Sequence, residues 1–317
     1  MHPAFSVIFF TTLSGAGYGL LICSAIAAAF DWASARSLLA CMALGLVMVT
    51  IGLLSSMAHL GKPLRAWRAF SQWRTSWLSR EGVMAILTYV PALLVASMLL
   101  PGMLSPNAEG APVMPNTLAV IAAVALVACA LMTVVCTAMI YASLKPIPAW
   151  RHAFVVPVYL LFSLLTGGLL CSALIGFDGY IGNGVAMIGI AIATVVAVLK
   201  WRYWRDIDTT PLAHTRADAV GLPGREVSVF ERPHTESNYL TREMGFALAR
   251  KHSRRLRIIA MVLFAVIPAL LMLPVWLFVH LDAAPWLTAA AVSALLGAVV
   301  ERWLFFAEAR HLVTLYY

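Results

Sequence analysis

Thr117–Tyr141 reads TLAVIAAVALVACALMTVVCTAMIY, an apolar stretch of 25 residues without a charged side chain. A helix needs about 20 consecutive apolar residues to cross the hydrocarbon core of a membrane, so this stretch is long enough. Backbone polar groups must be satisfied inside each span, which makes a helix the expected structure. Seven similar stretches flank it, and the eight predicted spans cover residues 5–29, 38–58, 82–100, 117–141, 154–176, 183–200, 258–280 and 286–308.

The composition excludes a water-facing globule, because 62% of the 317 residues are hydrophobic and only 11% are charged. We predict an all-α integral membrane protein, an eight-transmembrane-helix bundle. Residues 1–317 form a single transmembrane domain with a long cytoplasmic loop at about 201–256.

The 22 Lys and Arg residues are unevenly distributed, since 19 of them lie in three alternate gaps at 59–81, 142–153 and 200–257. Loops on the cytoplasmic side carry an excess of Lys and Arg near membrane spans. The pattern predicts that both termini and these basic loops are cytoplasmic, in the inner membrane of a bacterium. Topology explains the net charge of +8, so we expect no nucleic-acid binding. The basic loops could also dock an acidic partner or anionic membrane lipid.

Ligands for a resident metal are scarce in the sequence. The five cysteines all lie within predicted spans and show no CxxC spacing, which favours small packing residues over disulfides or an iron-sulfur cluster. None of the eight His residues lies in the middle of a span, where a pair could bracket a haem iron. We therefore expect no haem and no metal site on this chain.

The 59–81 gap combines helix breakers, aromatic residues and cations. Gly61 and Pro63 are expected to break the helix there. Trp67, Trp73 and Trp77 have Arg neighbours, a composition that suits a segment lying in the lipid headgroup layer.

Three side chains of this gap could exchange protons and stabilise an anionic oxygen. A neutral His59 could pass a proton to or from a quinone, because the pKa of imidazole lies near working pH. Arg65 could stabilise the oxygen that becomes anionic during reduction, and Glu81 could relay the proton to water. Ordinary interpretations remain open: His59 as a helix-end residue, Arg65 as a topology charge, and Glu81 as a first-turn acid after Ser79 as N-cap.

The long polar loop at 201–256 has no hydrophobic core of its own, and loops of this length usually have a function. We expect it to dock a partner, with Thr241 to His252 as a short amphipathic helix. The alternative is an unpartnered amphipathic segment on the membrane surface.

One family shares these features. The run His59-Leu60-Gly61-x-Pro63-x-Arg65-Ala66, with Glu81 22 residues after His59, resembles the membrane anchor subunits of dimethyl sulfoxide reductase-type molybdenum enzymes. The eight spans, the Gly167-Gly168 pair and Glu301-Arg302 support the resemblance. It implies a haem-free, quinone-reactive subunit whose partners are an iron-sulfur subunit and a molybdopterin catalytic subunit. It also implies a site for ubiquinone or menaquinone at His59, Arg65 and Glu81, to which we add Trp67.

Within this family the chain is most similar to the membrane subunit of cytoplasmic sulfite dehydrogenase (sulfite:quinone oxidoreductase) complexes. The predicted cytoplasmic position of His59, the long loop and the run Pro233–Tyr239 carry this similarity. It implies that electrons from sulfite oxidation enter the quinone pool. The alternative is the anchor of a dimethyl sulfoxide or related reductase that oxidises menaquinol, in which the docking face is periplasmic.

A secondary transporter is the competing class, since eight spans would also suffice for one. Transporters usually carry polar groups at the membrane midplane, whereas these spans are nearly free of ionisable residues. Glu301, Arg302 and Glu308 could line a proton path. Alternatively, Glu301 and Arg302 form an ion pair that fixes the last span.

Overall fold

The computed structural model describes residues 4–58, 60–104, 116–178, 181–212, 214–231, 248–278 and 280–316. Within these ranges the regular structure is entirely helical. The α-helices are α1 (Phe5–Ala29), α2 (Ala35–Met57), α3 (Trp77–Leu104), α4 (Thr117–Ala142), α5 (Val155–Gly176), α6 (Asn183–Thr209), α7 (Arg216–Ala219), α8 (Leu248–Met261), α9 (Ile267–Leu277) and α10 (Ala283–Ala307). A π-helical turn, Val262–Val266, joins α8 to α9 into one continuous crossing.

Eight of these helical stretches are long and apolar enough to cross a membrane, which confirms the predicted eight-helix membrane fold. Several predicted boundaries were wrong. Helix α6 continues to Thr209 and α8 begins at Leu248, so both ends of the predicted 201–256 loop are helical. Of the amphipathic helix predicted from Thr241 to His252, residues 241–247 lie outside the described residues, and residues 248–252 are helical as the start of α8.

Helix α3 begins at Trp77, five residues earlier than its predicted span. Ser79 is therefore inside the helix and is not its N-cap. Instead, the Ser79 hydroxyl donates a hydrogen bond to the carbonyl of Ala69 (2.5 Å). The interpretation of Glu81 as an ordinary first-turn acid after a serine cap is corrected by this geometry.

Helix α1 lies at the centre of the bundle and packs against α2, α4, α5 and α10. Close approach of two helices in a membrane requires small residues, because a larger side chain would separate the backbones. Gly19 and Gly167 provide this contact: a Cβ added at Gly167 would lie 2.2 Å from the carbonyl carbon of Gly19. This contact fixes the spacing of α1 and α5.

Successive crossings run in opposite directions and bring the basic segments to one end of the bundle. We define the basic end as the end at which α2, α4, α6 and α10 finish and α3, α5 and α8 begin. A 3₁₀-helix at Pro63–Gln72, a second at Pro148–Arg151 and the short helix α7 lie in the connections there. The polar residues considered below lie at or near this end.

Candidate functional site at the basic end of the bundle

A surface segment, residues 60–76, connects α2 to α3. Its 3₁₀-helix starts with Pro63, whose fixed φ suits the first position of a helix, and this confirms the predicted break. Arg80 on α3 anchors the far end of the segment. Its Nε donates to the carbonyl of Trp73 (3.0 Å) and its Nη2 to the carbonyl of Arg74 (2.7 Å). The segment is thereby fixed across the start of α3.

Aromatic rings and guanidinium groups pair along the surface segment. Arg68 lies 5.7 Å from the ring centre of Trp67, and Arg74 lies 5.6 Å from that of Trp73. Trp67 itself is 66% exposed. Such amphipathic rings and paired cations suit contact with lipid headgroups or with a partner protein.

Glu81 lies on the inner side of α3, two residues after Ser79, whose hydroxyl contacts the surface segment. Only 5% of its surface is exposed, and its Oε1 accepts a hydrogen bond from the hydroxyl of Thr137 on α4 (3.3 Å). No cation among the described residues pairs with it. A buried carboxylate without a counter-ion has a large desolvation cost when it is charged. The position favours a carboxyl group that binds and releases a proton.

The structure places the described residues of the predicted site in different surroundings. Arg65 is exposed on the surface segment and forms no salt bridge with any carboxylate in the described ranges. Trp67 lies on the same segment and is also exposed. His59 lies outside the described residues. Of the three predicted residues that the structure describes, Arg65, Trp67 and Glu81, only Glu81 lies in the interior.

A second set of polar side chains lies in the interior, and the sequence analysis identified only some of its members. The ion pair of Glu301 and Arg302, one of the two alternatives for these residues, is present on α10, with Arg302 Nε 3.3 Å from Glu301 Oε2. Lys200 on α6, which the hydropathy pattern did not reveal, places its Nζ 2.5 Å from Glu301 Oε1. These three residues, the charge cluster, are all buried, and Lys200 is 1% exposed.

Aromatic rings surround the two cations of the charge cluster. Arg302 lies 3.7 Å from the ring centre of Tyr159, and Lys200 lies 4.1 Å from that of Tyr203. Cation–π attraction strengthens when the cation is removed from water. The rings therefore help to hold two positive charges around one carboxylate inside the bundle.

A surface pocket opens beside the charge cluster at the basic end. Its water-accessible volume is about 440 Å³, and the residues that line it include His152, Asp206, Arg257 and Glu308. Arg257 bridges Asp208 (2.5 Å) and Glu308 (2.9 Å). Burial raises the pKa of Glu308, and the neighbouring Arg257 opposes that shift.

Comparison with known proteins places the chain in a family. The sequence matches the family model described as "DMSO reductase anchor subunit (DmsC)" over residues 1–307. The chain belongs to the DMSO reductase anchor subunit (DmsC) family. It is also 34% identical over 329 aligned positions to a sulfite dehydrogenase subunit from Allochromatium vinosum, an alignment that covers 100% of this chain and 99% of that protein.

Membership of the DmsC family confirms the resemblance inferred from the 59–81 gap and from the eight spans. It makes the chain a membrane anchor subunit and disfavours the secondary-transporter alternative. The similar protein in A. vinosum is part of a sulfite dehydrogenase, which is an oxidoreductase complex. The anchor and its relative thus belong to multi-subunit enzymes.

Proposed function

We propose that this chain is the quinone-reactive membrane anchor of a molybdopterin and iron-sulfur oxidoreductase, and that it passes electrons from cytoplasmic sulfite oxidation to the quinone pool. The observation that carries the proposal is Glu81, a buried carboxyl group with no cation beside it among the described residues, two residues after the Ser79 contact with the basic aromatic surface segment. The full-length similarity to a sulfite dehydrogenase subunit supports the choice of substrate.

The chemistry of quinone reduction matches the side chains available. Reduction of one quinone consumes two electrons and two protons. The electrons arrive from the iron-sulfur partner, and Glu81 supplies one of the protons from its buried position. His59 supplies the other, and Arg65 stabilises the developing oxyanion. Trp67 contributes a flat apolar surface for the quinone ring.

The partners bind at the basic end in this proposal. The surface segment and the region 201–256 present cations and aromatic rings to the iron-sulfur subunit, which in turn holds the molybdopterin subunit. Both termini and the basic loops then face the cytoplasm, and the chain lies in the bacterial inner membrane. Molybdopterin and iron-sulfur clusters belong to the partner subunits, and ubiquinone or menaquinone is the acceptor.

The name of the matching family favours a second candidate, the anchor of a dimethyl sulfoxide or related reductase that oxidises menaquinol. Electron flow is then reversed, and Glu81 accepts a proton from the quinol. The two candidates differ in the substrate that the intact complex consumes.

The purified complex tests the proposal with two electron acceptors. Sulfite oxidation with ferricyanide reports on the catalytic subunits alone, whereas sulfite oxidation with a soluble quinone also requires the anchor. Glu81→Gln should lower the quinone-linked rate about 100-fold, within the range typical of a lost acid–base group, and should leave the ferricyanide rate unchanged. A wild-type complex that oxidises sulfite without reducing quinone would refute the proposed function.

A further inference from the structure

A small cavity lies inside the bundle between α1, α4, α5 and α10. Its water-accessible volume is about 20 Å³, which is enough for about one internal water molecule. Its lining includes Thr137, whose hydroxyl is bonded to Glu81, and Arg302 of the charge cluster. We call this space the inner cavity. It lies between the two buried acids.

Three buried hydroxyl groups line the inner cavity, those of Thr12, Tyr18 and Tyr159, and none forms a hydrogen bond of ordinary length and angle among the described residues. Tyr18 and Tyr159 do have polar neighbours, Thr133 and Arg302 respectively. Buried polar groups in folded proteins are normally satisfied by protein or by ordered water. Such a polar lining favours a bound water over an empty apolar void.

A second small cavity continues the row toward the surface. Its water-accessible volume is about 10 Å³. Tyr159 and Arg302 line both this cavity and the inner cavity. Lys200, Glu301 and Tyr203 also line it. The charge cluster therefore contacts both spaces.

The row ends at the surface pocket. Tyr203, at the second cavity, lies edge-on to the ring of His152, with 5.3 Å between the ring centres. His152 lines the surface pocket and pairs with Asp206 there (3.2 Å). The second cavity therefore lies next to the surface pocket at the basic end, with the rings of Tyr203 and His152 between them.

We propose that these spaces hold water and form a proton path that resupplies Glu81 from the surface pocket. The proposal rests on the proposed quinone reaction, in which one quinone takes up two electrons from the iron-sulfur partner and two protons. The path carries one of those protons. When Glu81 releases its proton to the quinone oxygen, it regains one from the inner-cavity water through Thr137. That water regains a proton through the hydroxyl of Tyr159, which lines both cavities, and the proton comes finally from solvent at the surface pocket that His152 lines.

Tyr159→Phe tests the path with little risk to folding. The change removes one hydroxyl, whose polar neighbour is Arg302, and keeps the ring of a residue that lines both cavities. Tyr141→Phe is the matched control. Its ring lies 6.1 Å from that of Tyr159, is also buried, and lines neither cavity. Both variants are made in the complete complex, and sulfite oxidation is followed with ferricyanide and with a soluble quinone.

We expect Tyr159→Phe to lower the maximal quinone-linked rate about tenfold, a modest share of what proton-transfer groups contribute, with an unchanged KM for quinone. The solvent isotope effect, which is the quinone-linked rate in H₂O divided by the rate in D₂O, should be larger in Tyr159→Phe than in the wild-type complex. The ferricyanide rate should stay at the wild-type value, and Tyr141→Phe should change the quinone-linked rate less than twofold, roughly the scatter expected for a residue outside the path. Equal quinone-linked rates in the two variants would overturn the path.

Ordered water provides a second measurement that does not depend on turnover. A high-resolution map of the wild-type complex should show a water within hydrogen-bond distance of Tyr18, Tyr159 and Thr137. A dry inner cavity would refute the path and leave the proposed quinone function intact. A complex that never reduces quinone would refute the proposed function, whatever the cavity contains.

Discussion

Two buried glutamates lie at the same end of this bundle and differ in their neighbours. Glu301 is fully buried between two cations, Lys200 at 2.5 Å and Arg302 at 3.3 Å. Glu81 is almost as deeply buried, and its hydrogen-bond partner is the hydroxyl of Thr137. The same residue type is thus held by charge in one place and by a neutral group in the other.

The difference predicts separate roles for the two acids. A carboxylate between two cations is strongly favoured in its charged form, and removal of one member of a buried ion pair leaves an uncompensated charge. A carboxyl group bonded to a hydroxyl has no such counter-ion, so its protonated form is accessible. We expect Glu301 to dominate stability and Glu81 to dominate quinone turnover.

The largest effect should come from Glu301→Gln. It leaves Lys200 and Arg302 buried together without their carboxylate and should cost about 3–5 kcal/mol, the range for broken buried ion pairs. The yield of assembled complex and its melting temperature in detergent measure this loss. Glu308→Gln is the control, because Arg257 retains Asp208 as its partner in that variant. Equal stability of the two variants would contradict the structural role of Glu301.

The next effect concerns the spacing of the helices that enclose the inner cavity. Gly167→Ala would place a Cβ 2.2 Å from Gly19 and should cost about 1–3 kcal/mol, as overpacking usually does. Gly168→Ala is the matched control on the next residue, since its Cβ would meet only Cys23 Sγ at 3.5 Å. Thermal unfolding of the two complexes separates them. If Gly168→Ala were the more damaging change, the packing of α1 on α5 described above would be incorrect.

A smaller effect is expected at Arg65. Because the side chain is exposed, Arg65→Gln should leave the melting temperature unchanged and lower the quinone-linked rate about tenfold, less than loss of an oxyanion-stabilising donor in a closed site. Arg74→Gln, on the same surface segment, is the control for a general loss of positive charge. Steady-state kinetics with a soluble quinone distinguishes the two. A similar loss in both would indicate a docking role for the cations.

The smallest effect is expected from a substitution that tests on which side of the membrane the basic end of the bundle lies. Gln72→Cys introduces an exposed thiol on the surface segment, between two spans. The basic loops near the spans predict a cytoplasmic position. The thiol should therefore resist an impermeant reagent in intact cells and react after permeabilisation. Reaction in intact cells would favour a periplasmic reductase over cytoplasmic sulfite oxidation.

Much of the fold could be predicted because each crossing carries its own apolar signal. The ends of helices were harder to locate, since α6 continues nine residues beyond its predicted end at Lys200. That extension explains why Lys200 was missed. In a hydropathy pattern it counts as a loop cation, whereas in the bundle it packs inside against Glu301.

The candidate site was predictable only through its motif. The pattern from His59 to Glu81 identified the segment, and the buried position of Glu81 agrees with a chemical role. Thr137 gave no signal, because a threonine in an apolar helix is common and only tertiary packing brings it to Glu81. The charge cluster likewise depends on contact between α6 and α10, which are far apart in sequence.

The most direct test of the central claim is to locate the bound quinone by covalent labelling. A photoreactive quinone analogue is irradiated with the wild-type complex, and the labelled peptides are identified by mass spectrometry with and without excess native quinone. We predict labels within residues 59–81 and the first turns of α3 that disappear when native quinone competes. Competed labels confined to the opposite end of the bundle, around Phe30–Ser34, would contradict a quinone site at Glu81.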